Sequence, residues 1–440
     1  MNSRAIIFDL DDTIFATEEF KPYLRTEIGR ETIPGLIERD EIEVRERHQG
    51  VVEYINKLIN SGIAVFIFSD SPSAYCFAIL DKGGVKVSRD NIYCSQHKPT
   101  VDDNIIFTSY QDILVVGDSP KDIYFAHLRA FPSILLGRLS KKSCEYYNRW
   151  TKPSAICTNL DELKSAVDDY LNGQLVFQQH DFKRNYDTVD PDECDLTTIP
   201  SENIGHAFEY WPNSDDWDDV EERKKVWFEV KRSIKVAKEL TQSQIENSER
   251  VAFYNRNKTI GYGKAFKALM WVSFQEFVKW AKKEKLTGKI YLVPTPPSVP
   301  MECNKSFPML ILAEWWSKYA YFARKKGEIN FILEHFYIVE RFLPTPPAHM
   351  SNGRREVRPH LETLGTYKKI KKNDGTAVII LDDIVTSGTQ MNAVATLLTE
   401  VGIFKNEIPF YGYAFARTTR PGADVSELLR LFSASEIAGS

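Results

Sequence analysis

Short, almost wholly apolar segments recur along this chain between amphipathic stretches, and each is followed at once by acids, hydroxyls or glycine. Over roughly the first 140 residues, Ala5 to Phe8, Ala64 to Phe68, Ile113 to Val116 and Ser133 to Leu136 read as strands, with a helix over Val51 to Asn60. A half-exposed strand alternates apolar and polar side chains, whereas one buried on both faces is apolar at nearly every position. The pattern therefore predicts a parallel sheet covered by helices on both faces, an α/β fold whose reactive groups lie just past the strand C-termini. Composition shifts between Asp181 and Asp219 to Asp, Asn, Pro and Ser with single aromatics such as Tyr210, Trp211 and Trp217, which reads as a connection. Helices are then expected over Val220 to Ser248, Lys264 to Glu284 and Thr389 to Glu400. Strands are expected at Lys289 to Val293, Phe331 to Val339, Ala377 to Leu381 and near Pro409 to Phe415. A chain of 440 residues exceeds what one core organises. Two doubly wound parallel-sheet domains are expected, at 1–170 and 220–420, with a connecting segment over 171–219 and a tail over 421–440.

Composition sets limits on partners. Apolar residues make up 43% and aromatics 12%, too rich for a disordered chain. The net charge of -5 supplies no overall field toward nucleic acid or an anionic membrane, so any phosphate site must be local, and the basic stretch Lys368 to Lys372 is one place for it. Cys76, Cys94, Cys144, Cys157, Cys194 and Cys303 form no Cys-x-x-Cys pair and read as reduced thiols. The apolar start Ala5 to Phe8 is too short for a signal segment, and no apolar run reaches membrane-spanning length, so a cytoplasmic location is expected.

Asp9-Leu10-Asp11-Asp12-Thr13 follows the first strand directly and brings two carboxylates, two residues apart, to the edge of the sheet. One can attack phosphorus while the other protonates the leaving oxygen and later activates water. Several carboxylates and a phosphate repel one another unless a divalent cation such as Mg²⁺ neutralises them. An acidic turn that merely ends a strand is the plain alternative for this motif alone. Further motifs follow in order: Ser69 closes the second strand, Lys98 stands in His97-Lys98-Pro99, and Gly117-Asp118-Ser119-Pro120-Lys121-Asp122 follows the strand ending at Val116.

Together these four motifs resemble the haloacid-dehalogenase (HAD) phosphohydrolases over roughly Ala5 to Gly137. The resemblance implies Asp9 as nucleophile, Asp11 as general acid and base, Ser69 as a phosphoryl contact and Lys98 as the cation that offsets their charge. It also implies Mg²⁺ bound among Asp9, Asp11, Asp118 and Asp122, with Asp122 assisting the metal or orienting Lys98. Such enzymes bury small substrates under cap insertions. The stretch from Lys98 to Asp118 has room only for a helix and a strand, and Glu18 to Arg47 only for one or two helices. The site is then either open to a large substrate such as a nucleic-acid end, or closed by the second domain. Arg25, Arg30, Arg39, Arg45 and Arg47 in that insertion read either as phosphate contacts or as a solvated helix face.

Near the other end, Val378 to Leu381 runs into Asp382-Asp383-Ile384-Val385-Thr386-Ser387-Gly388-Thr389 and a helix. A helix start with free N–H groups and nearby hydroxyls binds anions, and Gly388 allows the tight turn this needs. Two carboxylates just before it suit the vicinal hydroxyls of a ribose, directly or through Mg²⁺. No Gly-Lys-Ser/Thr follows, so this is not a Walker loop. The string is similar to the phosphoribosyl pyrophosphate signature of type I phosphoribosyltransferases, which implies ribose hydroxyls on Asp382 and Asp383 and the 5′-phosphate on Thr386, Ser387, Gly388 and Thr389. Tyr291 to Ser298, with Thr295 and Ser298, resembles the pyrophosphate loop of ComF-like members, and Leu343 to Leu364, with Arg354, Arg355 and Arg358, their mobile basic loop. The cysteine zinc module of those members is missing, and nothing dictates a base; Ile260 to Lys264 is a candidate for the acceptor-binding hood.

The two resemblances imply a bifunctional enzyme. Its second domain would transfer ribosyl phosphate from phosphoribosyl pyrophosphate to a small-molecule acceptor, and its first would hydrolyse a phosphomonoester, including that product. Two other readings stay open: a nucleic-acid-end or nucleotide phosphatase with a sensing domain, and an interaction protein of a stress or defence system. Nucleic acid is the less favoured partner, no membrane partner is expected, and a homo-oligomer is compatible with the sequence.

Overall fold

The computed structural model describes residues 4–24, 27–137, 151–210, 234, 237–238, 243, 245, 251–255, 258–263, 266–304, 306–345, 356–367, 372, 374–404 and 408–418. Arg25, Arg354, Arg355, Lys264 and most of Lys368 to Lys372 therefore lie outside the described residues, as does most of the helix expected over Val220 to Ser248. Within that helix Ile234, Ala237, Ser243 and Ile245 are helical. Among the described residues no helix is long and apolar enough to cross a membrane.

In the first half the chain runs β1 (Arg4–Phe8), α1 (Lys21–Leu24), α2 (Glu27–Glu38), α3 (Val51–Asn60), β2 (Ala64–Phe68), α4 (Ser73–Gly83), β3 (Ile92–Tyr93) and α5 (Ile106–Ser109). It continues through β4 (Asp112–Gly117), α6 (Pro120–Leu128), β5 (Ser133–Leu136), β6 (Ala155–Cys157) and α7 (Leu160–Leu171). The six strands form one sheet in the order β3-β2-β1-β4-β5-β6, and every neighbouring pair is parallel. Helix α3 forms because Val51, Val52, Ile55 and Leu58 fall on one stripe that packs into the core. Helix α7 starts at Asn159, whose side chain accepts the Glu162 N–H, and buries Leu163, Ala166, Val167 and Tyr170. The expected insertion after β1 is α1 and α2, a small cap, and only α5 separates Lys98 from β4.

The second half comprises β7 (Tyr186–Asp187), β8 (Ile204–Tyr210), β9 (Val251–Asn255), β10 (Lys258–Gly263), α8 (Phe266–Lys283), β11 (Gly288–Pro294) and α9 (Pro308–Lys325). After these come β12 (Phe331–His335), β13 (Val339–Arg341), α10 (Arg358–Leu361), β14 (Leu364–Tyr367), β15 (Ala377–Val385), α11 (Thr389–Glu400) and β16 (Phe410–Thr418). A second all-parallel sheet has the order β12-β11-β15-β16-β8. Helices α8 and α9 cover one face around Phe277 and Trp316, while α11 covers the other around Met391, Val394 and Leu398. The α/β class with two parallel sheets is thus as the strand pattern implies.

Three features depart from the sequence reading. The single strand expected over Phe331 to Val339 is two: β12 pairs with β11, the chain leaves the sheet after Phe336 N–H reaches the Leu292 carbonyl (2.8 Å), and β13 pairs antiparallel with β14. The connecting segment 171–219 supplies β8, an edge strand of the second sheet, and β7, which pairs with β14. Strand β15 runs on to Val385, so Asp382 and Asp383 leave it while it is still paired with β16.

Gly205 marks how closely β8 is held. A Cβ there would lie 2.7 Å from both Tyr413, a core side chain, and Trp280, which is half-buried against that core, so one of the two rings would have to shift. Gly205→Ala is expected to cost about 1–3 kcal/mol and to lower the unfolding temperature of the second half by several degrees. Differential scanning calorimetry tests this, and an unchanged transition would place β8 outside the cooperative core.

Candidate functional site

In a doubly wound sheet the crevice opens where successive connections leave in opposite directions. In the first sheet this falls between β1 and β4, where Phe8 pairs with Val116 and the Asp9 N–H donates to the Val116 carbonyl at 2.8 Å. The two strand ends therefore deliver Asp9 and Asp118 side by side. Carboxylate oxygens of Asp9, Asp118 and Asp122 lie within 4.8 Å of one another. Asp122 enters this group through the start of α6, where a capping box forms with Ser119 and Pro120 opens the helix. Its Oδ2 accepts the Ser119 hydroxyl (2.7 Å) and backbone N–H (3.1 Å), while Oδ1 accepts Lys98 Nζ. Gly117 makes this approach possible, since a Cβ there would stand 2.2 Å from the Asp122 carboxyl carbon.

Lys98 is buried and joins Asp122 to Asp9, with the Phe68 carbonyl as a third acceptor at 3.3 Å. Burial alone would push its ammonium pKa down, but Asp122 and Asp9 outweigh that and hold it well above the usual lysine value. Asp9 is raised well above the usual carboxylate range, first by burial, with Lys98 pulling it back and Asp122, Asp118 and Asp11 pushing it up. Asp118 is raised to about 8 by burial and then by Asp122 and Asp12. One ammonium thus faces three carboxylates, and the negative charge left over is what a divalent cation neutralises. Both oxygens of Asp122 are engaged by protein donors, and Asp9 accepts Lys98 on Oδ1 and the Thr13 hydroxyl on Oδ2 (3.1 Å), so Asp118 is the carboxylate of the three with no protein donor among the described residues.

Asp11 stands apart from this trio. Its Oδ2 accepts the hydroxyls of Ser71 (2.8 Å) and Ser69 (3.3 Å), and Oδ1 accepts Tyr75 (2.8 Å). Burial raises its pKa, with the Ser71 and Tyr75 hydrogen bonds opposing. A raised carboxyl holds a proton to give away, so the environment suits an acid better than a metal ligand. Ser71, Tyr75 and Lys21 escape a reading by motif. Lys21, from the cap, bonds Asp12, which sits at φ 60 and also accepts the Thr17 N–H and hydroxyl. In that cap Arg39 pairs with Glu41, Arg45 with Glu43 and Arg47 with Glu18, while Arg30 reaches the Leu24 carbonyl.

The second sheet has its own crevice, between β11 and β15, where the Thr295 N–H donates to the Leu381 carbonyl at 2.8 Å. Asp382 Oδ1 accepts the Thr295 hydroxyl (2.7 Å) and the Asp383 N–H (2.9 Å). Burial and then Asp383 hold the Asp382 carboxyl up at about 7. Asp383 accepts the Ile384 N–H (2.7 Å) and Lys238 Nζ (3.4 Å), a cation no motif pointed to. Gly388, at φ 75, turns the chain into α11, with Ser387 bonded to Thr389 (2.7 Å) and Thr386 to Thr418 (3.0 Å). Ser298 lies in the loop after β11, its carbonyl accepting the Thr345 N–H (2.9 Å). Arg358 is not brought to this group: it pairs with Asp192 at 2.8 Å and lies near Cys194, which in turn feels Glu400 at the far end of α11.

The two halves touch through α6. Tyr124, fully buried there, donates its hydroxyl to Glu302, in the turn Met301–Cys303 that follows the β11 loop. Cys303 is pushed up by burial and by Glu302, and the charges of Lys121 and Asp122 also reach it. Phe182, from the connecting segment, packs on Tyr124 and His127 at ring distances of 5.6 and 5.1 Å.

No protein-family model matches the chain, and no curated protein does. Among solved structures, part of the chain resembles several hydrolases and phosphatases at low identity. A hydrolase from Pseudomonas syringae is 16% identical over 38% of this chain and 98% of that one, with a TM-score of 0.29. A phosphoserine phosphohydrolase-like protein from Francisella tularensis is 16% identical over 37% and 98%, with a TM-score of 0.25. YfnB of Bacillus subtilis, assigned as a HAD-hydrolase and bound to magnesium, is 15% identical over 38% and 100%, with a TM-score of 0.27. Likeness of this degree carries no inference about chemistry, which rests on the side chains themselves.

A pH dependence follows from Asp118. With its ion-free pKa at about 8, a proton must leave before a cation can bind, so Mg²⁺ affinity falls as pH drops below that value. Calorimetric titrations between pH 8 and pH 6 are expected to show weakening of about tenfold per pH unit, and no ion binding by Asp118→Asn across that range. A pH-independent affinity would remove Asp118 from the ion's ligands.

Proposed function

We propose that the chain is a Mg²⁺-dependent enzyme with two sites. The first is a HAD-type phosphomonoesterase, and the second transfers ribosyl phosphate from phosphoribosyl pyrophosphate to a small acceptor. The observation that carries the first half is the single buried ammonium of Lys98 between Asp9 and Asp122, with the protonatable Asp11 held separately by three hydroxyls. An Asp9 carboxylate oxygen attacks phosphorus, and the bond to the leaving oxygen breaks as Asp11 gives that oxygen its proton. Water then attacks the aspartyl phosphate, Asp11 takes the proton back, and phosphate leaves with Asp9 restored. Mg²⁺ held by Asp9 and Asp118 would screen the charge between nucleophile and phosphate. Lys98 balances Asp9 throughout, and Ser69, buried with its hydroxyl 3.3 Å from Asp11, would contact the phosphoryl group.

For the second half, Asp382 and Asp383 at the edge of β15 and the hydroxyl turn Thr386 to Thr389 support a site for a phosphorylated ribose. Ribosyl transfer needs oriented reactants and neutralised pyrophosphate, with no covalent intermediate on the protein. The contact between Glu302 and Tyr124 supports the two sites working in sequence, the transfer product losing its 5′-phosphate in the first. Nine residues, Thr295 to Cys303, connect the neighbour of Asp382 to the neighbour of Asp122, a span of at most roughly 30 Å. The nucleic-acid-end reading loses support because three cap arginines are spent on adjacent acids.

Wild type and Asp9→Asn, each incubated with phosphoribosyl pyrophosphate, Mg²⁺ and a metabolite extract, separate these readings by product mass. The variant is expected to accumulate a ribosyl 5′-phosphate that wild type dephosphorylates, with phosphatase turnover reduced on the order of a thousandfold or more. Failure of both to consume phosphoribosyl pyrophosphate would reject the transferase, and release of phosphate from oligonucleotide ends would favour the end-phosphatase.

A further inference from the structure

Arg341 is 2% exposed, and among the described residues no carboxylate pairs with it. Its partners are neutral: Nε donates to the Pro297 carbonyl at 2.7 Å, one terminal nitrogen donates to the Thr363 hydroxyl, and the other stands 3.5 Å from His360 Nδ1. A guanidinium taken out of water without a counter-charge is costly, and such groups are ordinarily paired. Burial lowers the pKa only to about 9, with Asp382 opposing, so the group stays charged at neutral pH. Its charge also keeps His360, already depressed by burial, in the neutral form, with a pKa of about 4.

The loop beside it has an unusual division of labour. Three consecutive carbonyls are taken by protein donors: Pro296 by Gln390 Nε2 (2.6 Å), Pro297 by Arg341 and Ser298 by the Thr345 N–H (2.9 Å). Pro296 and Pro297 have no N–H, and the N–H groups of Ser298 and Val299 have no hydrogen-bond partner among the described residues. The Pro297–Ser298 peptide is trans, so pulling its carbonyl toward Arg341 turns the Ser298 N–H the opposite way. The loop has its acceptors satisfied and its Ser298 and Val299 donors without a partner among the described residues, beside a buried positive charge, an arrangement that suits an anion of high charge.

We propose that Arg341 is the positioning residue of a pyrophosphate subsite: it holds the 296–298 loop so that Ser298 and Val299 N–H groups face the anion, and its own charge is compensated when that anion binds. This rests on the ribosyl-transfer reading of the second site. Sequence alone hides the role, because Arg341 lies 44 residues from its loop partner and before the basic segment that draws attention.

The test uses the full chain with Mg²⁺ and two probes, inorganic pyrophosphate and ribose 5-phosphate, whose phosphate is expected on the Thr386 to Thr389 turn. Calorimetry is expected to show Arg341→Gln weakening pyrophosphate binding at least about tenfold, Arg341→Lys recovering most of it, and ribose 5-phosphate affinity unchanged. Phosphomonoester hydrolysis at the first site reports folding; should Arg341→Gln fail to fold, Ser298→Pro, which deletes the oriented N–H, takes its place. Wild-type pyrophosphate affinity in Arg341→Gln would overturn the role of Arg341 and leave the transferase reading standing. Equal losses in the Gln and Lys variants would reduce Arg341 to packing and also overturn it. If wild type binds neither probe, the reading of the second site fails as well.

Discussion

Carboxylates held out of water at the ends of parallel strands are the constraint on which the rest of this molecule turns. Asp9 and Asp382 are each less than a tenth exposed, and each has further acids as neighbours. An unpaired buried carboxylate takes up a proton or finds a cation, and the raised pKa values at both places express that tension. The fold resolves it only in part. Lys98 serves the first cluster, where three carboxylates outnumber it, and Lys238, at 3.4 Å from Asp383, serves the second together with the buried Arg341 farther off. What completes each site has to arrive from solution, carrying positive charge or bringing it along.

The backbone sets up this condition in the same way twice. Parallel pairing of β1 with β4 aligns Phe8 with Val116, and that of β11 with β15 aligns Pro294 with Leu381, so acids immediately downstream meet across a crevice between strands. The supporting residues are then positioned by short-range rules. A capping box delivers Asp122 to Lys98, a glycine at φ 75 turns Thr386 to Thr389 into α11, and Gly117 clears the space that Asp122 fills. The join between the halves is equally concrete, since α6 carries both Asp122 and Tyr124, and Tyr124 holds the turn that ends the β11 loop.

Much of this was legible in the chain because the signals are local. Val51 to Asn60, Ala64 to Phe68, Ser133 to Leu136 and Thr389 to Glu400 have the bounds their apolar patterns imply. Asp9, Asp11, Ser69, Lys98 and Asp118 converge because each follows a strand of one sheet. Where local pattern and pairing diverge, the sequence misleads. Phe331 to Val339 is apolar but for Glu334 and His335, yet the chain changes sheets after Phe336, a choice made by distant partners in β11 and β14. The edge strand β8 lies in a stretch rich in turn formers, and its place depends on Trp280 and Tyr413 closing over Gly205. No local pattern singles out Arg341 or Lys238, whose partners lie 44 and 145 residues away.

Electron paramagnetic resonance of the full chain titrated with Mn²⁺, with and without phosphoribosyl pyrophosphate, measures most directly whether the buried acids await cations. The account predicts one bound ion in the absence of ligand, lost in Asp118→Asn, and a second that appears only with phosphoribosyl pyrophosphate and is lost in Asp382→Asn. Manganese remaining free under both conditions would contradict it.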